Sequence, residues 1–175
     1  MASNLIGIFT VCAIAAATGC VSNAQPPAAK AAGIERLQCD GSATAQDEVQ
    51  LLQSVTVLHV EPIYSHVLTA NNNSEERVNG AKLLIRPPKG VNAEEMTRIL
   101  QCHSARVLLG QVNGAAVPND PYWLSDAWVN IDVKPESGNF AVTVSADSIH
   151  DNLRVLGRAN HYAGAHMLAT EPALP

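Results

Sequence analysis

Twice along this chain the spacing of apolar residues switches from the period of a strand to the period of a helix, and that repeated switch limits the fold most. β-branched residues gather at Val55, Thr56, Val57 and Val60, which predicts a strand over about 53–61. Residues 69–80, with Asn71-Asn72-Asn73-Ser74-Glu75-Glu76, read as a polar exposed loop. Ala81-Lys82-Leu83-Leu84-Ile85-Arg86 predicts a second strand, ended by Pro87-Pro88, which cannot donate to a ladder. Asn92 is then placed to cap a helix, with Glu94 and Glu95 at its positive end. Met96, Ile99, Leu100, His103, Val107 and Leu108 recur at helical spacing, so a helix is predicted over 93–109, stopped by Gly110. After a loop at 111–125 the switch repeats. Val129, Ile131 and Val133 alternate with Trp128, Asn130 and Asp132, giving a strand over 127–133. A turn at 135–139 leads to a hairpin partner carrying Phe140, Val142 and Val144. Asp147 or Ser148 caps a second helix with Ile149, Leu153, Leu156 and Ala159 as its buried stripe. Residues 53–109 and 127–163 thus each read strand, strand, helix, a parallel of pattern without a residue-level repeat. The expectation is an α+β fold: a mainly antiparallel four-stranded sheet with two helices packed on one face.

The amino terminus belongs to a different kind of chain. Its first nineteen residues contain no Asp, Glu, Lys or Arg, and from Leu5 to Ala17 they are nearly all apolar or small. A spanning helix needs about 20 apolar residues, so this shorter run fits the apolar stretch of a secretory signal. It ends in Ala17-Thr18-Gly19-Cys20, which resembles the lipobox of bacterial lipoproteins, where small residues precede a cysteine that is acylated and becomes the mature first residue. Ala17 stands where Leu is usual, and no charged side chain precedes the apolar run. The resemblance implies a signal peptide at 1–19, lipidation at Cys20, and export to the cell envelope with a lipid anchor as membrane partner. Val21, in place of the Asp that marks inner-membrane retention in that family, favours the outer membrane, facing the periplasm.

Sixteen acids against eleven bases, with no Lys/Arg stripe, argue against nucleic acid as a partner. Residues 20–47, rich in Ala, Gln, Pro, Ser and Gly, read as a lipidated amino terminus and flexible tether, 48–165 as one α+β domain and 166–175 as a tail. Of four cysteines, Cys12 leaves with the signal and Cys20 is acylated, so Cys39 and Cys102 remain as an even pair in an oxidising compartment. A disulfide is the default reading. Two thiols at a metal or redox site are the alternative.

Chemistry-bearing residues are scattered. His59, His66 and His103, with Cys102, are the ligand types that suit zinc or copper, provided three or four converge. His103 also lies in the apolar stripe of its helix, where a core histidine bonded to backbone is the blander reading. Glu61 and His66 fall within one short strand exit and suggest a small hydrolase, yet no nucleophile motif accompanies them and no catalytic residue is assigned. His161 and His166 do not share a helical face and read as solvated tail residues. Tyr122 and Trp123 read either as an exposed anchor for a protein partner or as a plug at the core edge. The helix carrying Cys102-His103-Ser104-Ala105-Arg106, followed by a Trp-containing hairpin, resembles uncharacterised exported proteins of Gram-negative bacteria over residues 49–165, and this resemblance implies no activity. The functional expectation is a non-enzymatic envelope lipoprotein that displays a binding or scaffolding domain. A periplasmic zinc- or copper-binding protein and a hydrolase at Glu61/His66 are the alternatives.

Overall fold

In the computed structural model, residues 25–41, 43–68 and 72–167 are described. The segment read as a signal peptide, Cys20 and residues 168–175 lie outside them. The elements run α1 (Pro27–Gln38), α2 (Ala45–Ser54), β1 (Val57–Leu68), β2 (Ser74–Ile85), α3 (Ala93–Leu108), β3 (Val129–Glu136), β4 (Asn139–Ala146) and α4 (Ile149–His166). The four strands form one antiparallel sheet in the order β1-β2-β4-β3. This is the expected α+β architecture, with strand, strand, helix occurring twice.

The two units interlock. Helix α3 follows β2 but packs on β3, and α4 follows β4 but reaches across to β2 and β1. Leu83, Ile85, Ile131, Val133, Val142 and Val144 form the covered face of the sheet, and they meet Met96, Leu100, Val155, Ala159 and Tyr162 from the helices in one buried cluster. The other face is polar. On it Lys82 bridges Glu61 at 3.1 Å and Glu136 at 2.8 Å, and these carboxylates hold its ammonium above the ordinary lysine range.

Local chemistry explains the boundaries. The Asn92 side chain accepts the Glu95 N–H at 2.8 Å, and Ser148, rather than Asp147, accepts the Asp151 N–H at 3.1 Å. Ser137 and Gly138 both adopt positive φ, the requirement of a two-residue turn that matches strand twist. Gly80 sits at φ 132°, where a Cβ would run into the carbonyl oxygen of Val144. Only glycine lets β2 pass β4 there.

Several expectations are corrected. The segment read as a flexible tether contains α1 and the start of α2, the latter opened by a capping box in which Thr44 and Asp47 bond each other's backbone N–H. Residues 53 and 54 close α2 instead of opening a strand, and β1 runs on to Leu68. The polar loop at 69–80 is largely strand, because β2 begins at Ser74 and pairs with β1 from its first residue. Among the described residues four helices, not two, accompany the sheet. The buried stripe of α4 is Asn152, Val155, Ala159, Tyr162 and Ala163, whereas Ile149 and Leu153 are about half exposed. His166 is no tail residue: its ring stacks on Tyr162 with centroids 4.1 Å apart, and Nδ1 lies 3.1 Å from the Val55 carbonyl.

Candidate functional site

Among the described residues a concavity lies along the outer edge of β3. Glu136 and Asn139 flank the two-residue turn and are therefore a hydrogen-bonded pair. By alternation, the backbone groups of Lys134, Asp132 and Asn130 face β4, while those of Val133, Ile131 and Val129 face away from the sheet. Gln101 Nε2 donates to one of them, the Ile131 carbonyl, at 3.2 Å. Helix α1 runs alongside this edge. At its start Lys30 donates to Asn130 Oδ1 at 3.3 Å and sits 5.1 Å from the centroid of the Trp128 ring. Just past its end Cys39 is bonded to Cys102 of α3, with Cα atoms 5.6 Å apart.

Between the end of α1, the first turns of α3 and β3 opens a groove of about 930 Å³. Its wall carries Asp40, Glu94, Glu95 and Asp132 against Arg98, and the largely exposed Leu37 supplies an apolar rim. A cavity of about 180 Å³ continues along the same edge beneath Ile34 and Lys30. The sequence marks Glu94, Glu95 and Asp132 only as parts of a helix start and a strand, not as a site, because the wall is assembled from three separated segments.

The four candidate ligands do not meet. Cys102 is taken by the disulfide, and His103 is buried with Nε2 2.6 Å from Asp120 Oδ2. His59 lies on the polar face of the sheet, 3.9 Å from Glu61, while His66 sits farther along β1, paired across the ribbon with Glu76. Among the described residues no group of three or more His, Cys, Asp or Glu is placed to hold a metal ion. Glu61 is engaged by Lys82 and makes no bond to His66, so the acid-base pair of the hydrolase reading is not assembled either.

Tyr122 and Trp123 are not an exposed pair. Tyr122 is fully buried and meets Tyr162 edge to face at 5.9 Å, and burial pushes its phenol well above the usual range. Trp123 is half-buried over Gly114 with the Arg158 guanidinium 4.7 Å from its ring centroid, and Arg158 donates to the Trp123 carbonyl at 2.7 Å.

One buried ionic cluster escaped the sequence reading. Arg106 donates to Glu48 Oε1 at 2.6 Å, to Glu35 at 3.3 Å and to the Ala43 carbonyl at 2.9 Å, drawing α1, α2 and their connection onto α3. Burial outweighs the guanidinium at Glu48 and pushes its carboxyl up to about 6. The partly buried cluster and the buried His103–Asp120 pair line neither cavity at the β3 edge.

No family model, curated protein or solved structure matches this chain.

Proposed function

We propose that this chain is an exported, non-enzymatic bacterial envelope lipoprotein, anchored through Cys20 and most consistent with the outer membrane, whose α+β domain binds or scaffolds a protein partner. The amino-terminal sequence supports the anchor, and the groove at the β3 edge carries the binding reading. That groove combines the outward-facing edge of β3, an apolar rim and a charged wall, the combination by which an extended segment is recognised on a sheet edge. The chemically capable side chains, by contrast, are spent on structural bonds or stand apart.

The test is site-specific photo-cross-linking in cells, with the reactive group at Leu37 in the groove or at Lys134 on the polar face. A discrete adduct from Leu37 that Arg98→Glu removes, with none from Lys134, supports the reading. Equal labelling from both positions sinks it.

A further inference from the structure

Strands β1 and β2 are each twelve residues long, whereas their neighbour β4 has eight. Pairing between β2 and β4 ends at Ala81 and Val144, but β1 and β2 continue to pair out to Leu68 and Ser74. A two-stranded ribbon therefore leaves the sheet. Val144 is two residues short of the end of β4 at Ala146, so positions 74–78, at roughly 3.3 Å per residue, carry the ribbon about 16 Å past the end of β4. The outer part of the ribbon exposes Tyr64 (51%), Val67 (38%) and Leu68 (75%). Three apolar side chains on an isolated ribbon contribute nothing to the core.

The start of α1 lies at the same end of the sheet. Asn130, the partner of Lys30, pairs with Ser145, one row beyond the Ala81–Val144 row from which the ribbon departs. Helix α1 is held there by the Cys39–Cys102 disulfide and by Arg106 on Glu35. Only residues 21–26 separate Pro27 from Cys20. Covalent geometry limits such a stretch to about 25 Å, so a lipid on Cys20 is confined to the end of the molecule that carries the ribbon.

We infer that the outer part of the β1–β2 ribbon is a membrane-contact element, with Tyr64, Val67 and Leu68 resting in the headgroup layer of the bilayer that holds the Cys20 lipid. This rests on the lipid-anchor reading above. Tyrosine suits that layer, apolar at its ring and wet at its hydroxyl. The unpaired edges of the ribbon keep it shallow, since backbone polar groups without partners are costly in hydrocarbon. Glu75 and Glu76 stand beside Arg77, which pairs with Glu75 at 2.7 Å, so the ribbon is mildly acidic and fits a zwitterionic surface, not an anionic one.

The full acylated protein is added to phosphatidylcholine vesicles after labelling Leu68→Cys or Lys134→Cys with an environment-sensitive nitrobenzoxadiazole dye. With the signal removed, Cys20 acylated and Cys39 bonded to Cys102, the introduced thiol is the one that reacts. The inference expects the label at 68 to shift to the blue and to be reduced by dithionite several-fold more slowly than the label at 134. Equal reduction rates in a chain shown by palmitate labelling to be acylated overturn the ribbon assignment and leave the anchor standing. Absence of acylation overturns both.

Discussion

His103 Nε2 and Asp120 Oδ2 lie 2.6 Å apart with both side chains at or below 1% exposure. The pair ties α3 to the loop that follows it, and the other Asp120 oxygen accepts the Tyr122 N–H at 2.8 Å, which seats Tyr122 against Tyr162. Removing one member of a buried pair strands the other without solvent or partner, at a cost of about 3–5 kcal/mol. His103→Ala and Asp120→Ala are each expected to lose that much in urea unfolding, and the double variant to lose less than their sum. A loss under about 1 kcal/mol for either, or strict additivity, would show that the pair is not coupled.

Glu48 sets a pH dependence of definite sign. Its carboxyl titrates near 6 in the folded chain against 4.5 for the free group, with burial the largest cause and Arg106 opposing it. The folded state therefore holds its proton more tightly than the unfolded state does. The stability this contributes is complete below pH 4.5 and is lost as pH rises through about 6, amounting to about 2 kcal/mol. Glu48→Gln removes the titration, so the stability difference between variant and parent should change by about that amount between pH 4 and pH 7. A difference that stays flat across this window refutes the assignment.

Where the buried face of an element was also its apolar face, the sequence was readable. Strand β3 alternates because one side meets the core, and α3 combines a cap at Asn92 with a continuous apolar stripe. Helix α1 was invisible because its fixtures are distant in sequence: Cys102, Arg106 and Trp128. The ribbon was invisible because neither of its faces is covered, so residues 74–77 show no alternation. The groove draws on three segments, none of which carries a motif.

Helix α4 was misread by its own polar anchor. Asn152 occupies the buried stripe, where its amide accepts from the Ala146 N–H at 2.7 Å and donates to the Ala146 carbonyl at 3.0 Å. Hydrophobicity alone favours Ile149 and Leu153, which face outward instead. Leu153→Lys is accordingly expected to change stability by no more than about 0.5 kcal/mol. Asn152→Ala, which leaves two buried backbone groups unbonded, should cost about 2 kcal/mol or more. The reverse ranking in thermal or urea unfolding would restore the stripe first inferred.

The Cys39–Cys102 bond joins residues 63 positions apart and holds α1 against α3. Closing a loop of that length removes unfolded-state entropy equivalent to about 4 kcal/mol. Both sulfur-bearing residues are almost fully buried, so the bond is shielded while the fold persists. Cys39→Ser with Cys102→Ser is expected to lose several kcal/mol of stability and to release α1 first, because the ties then holding that helix among the described residues are Lys30 on Asn130 and Trp128, Arg106 on Glu35 and the Cys39 carbonyl, and the packing of Ala31. Hydrogen exchange should show the amides of residues 29–38 losing protection before those of α3, and in the parent protein the same early loss should follow reductant. If α1 stays as protected as α3 in the double variant, its packing, not the disulfide, fixes the helix, and the short reach of the anchor proposed at Cys20 no longer depends on an oxidised pair.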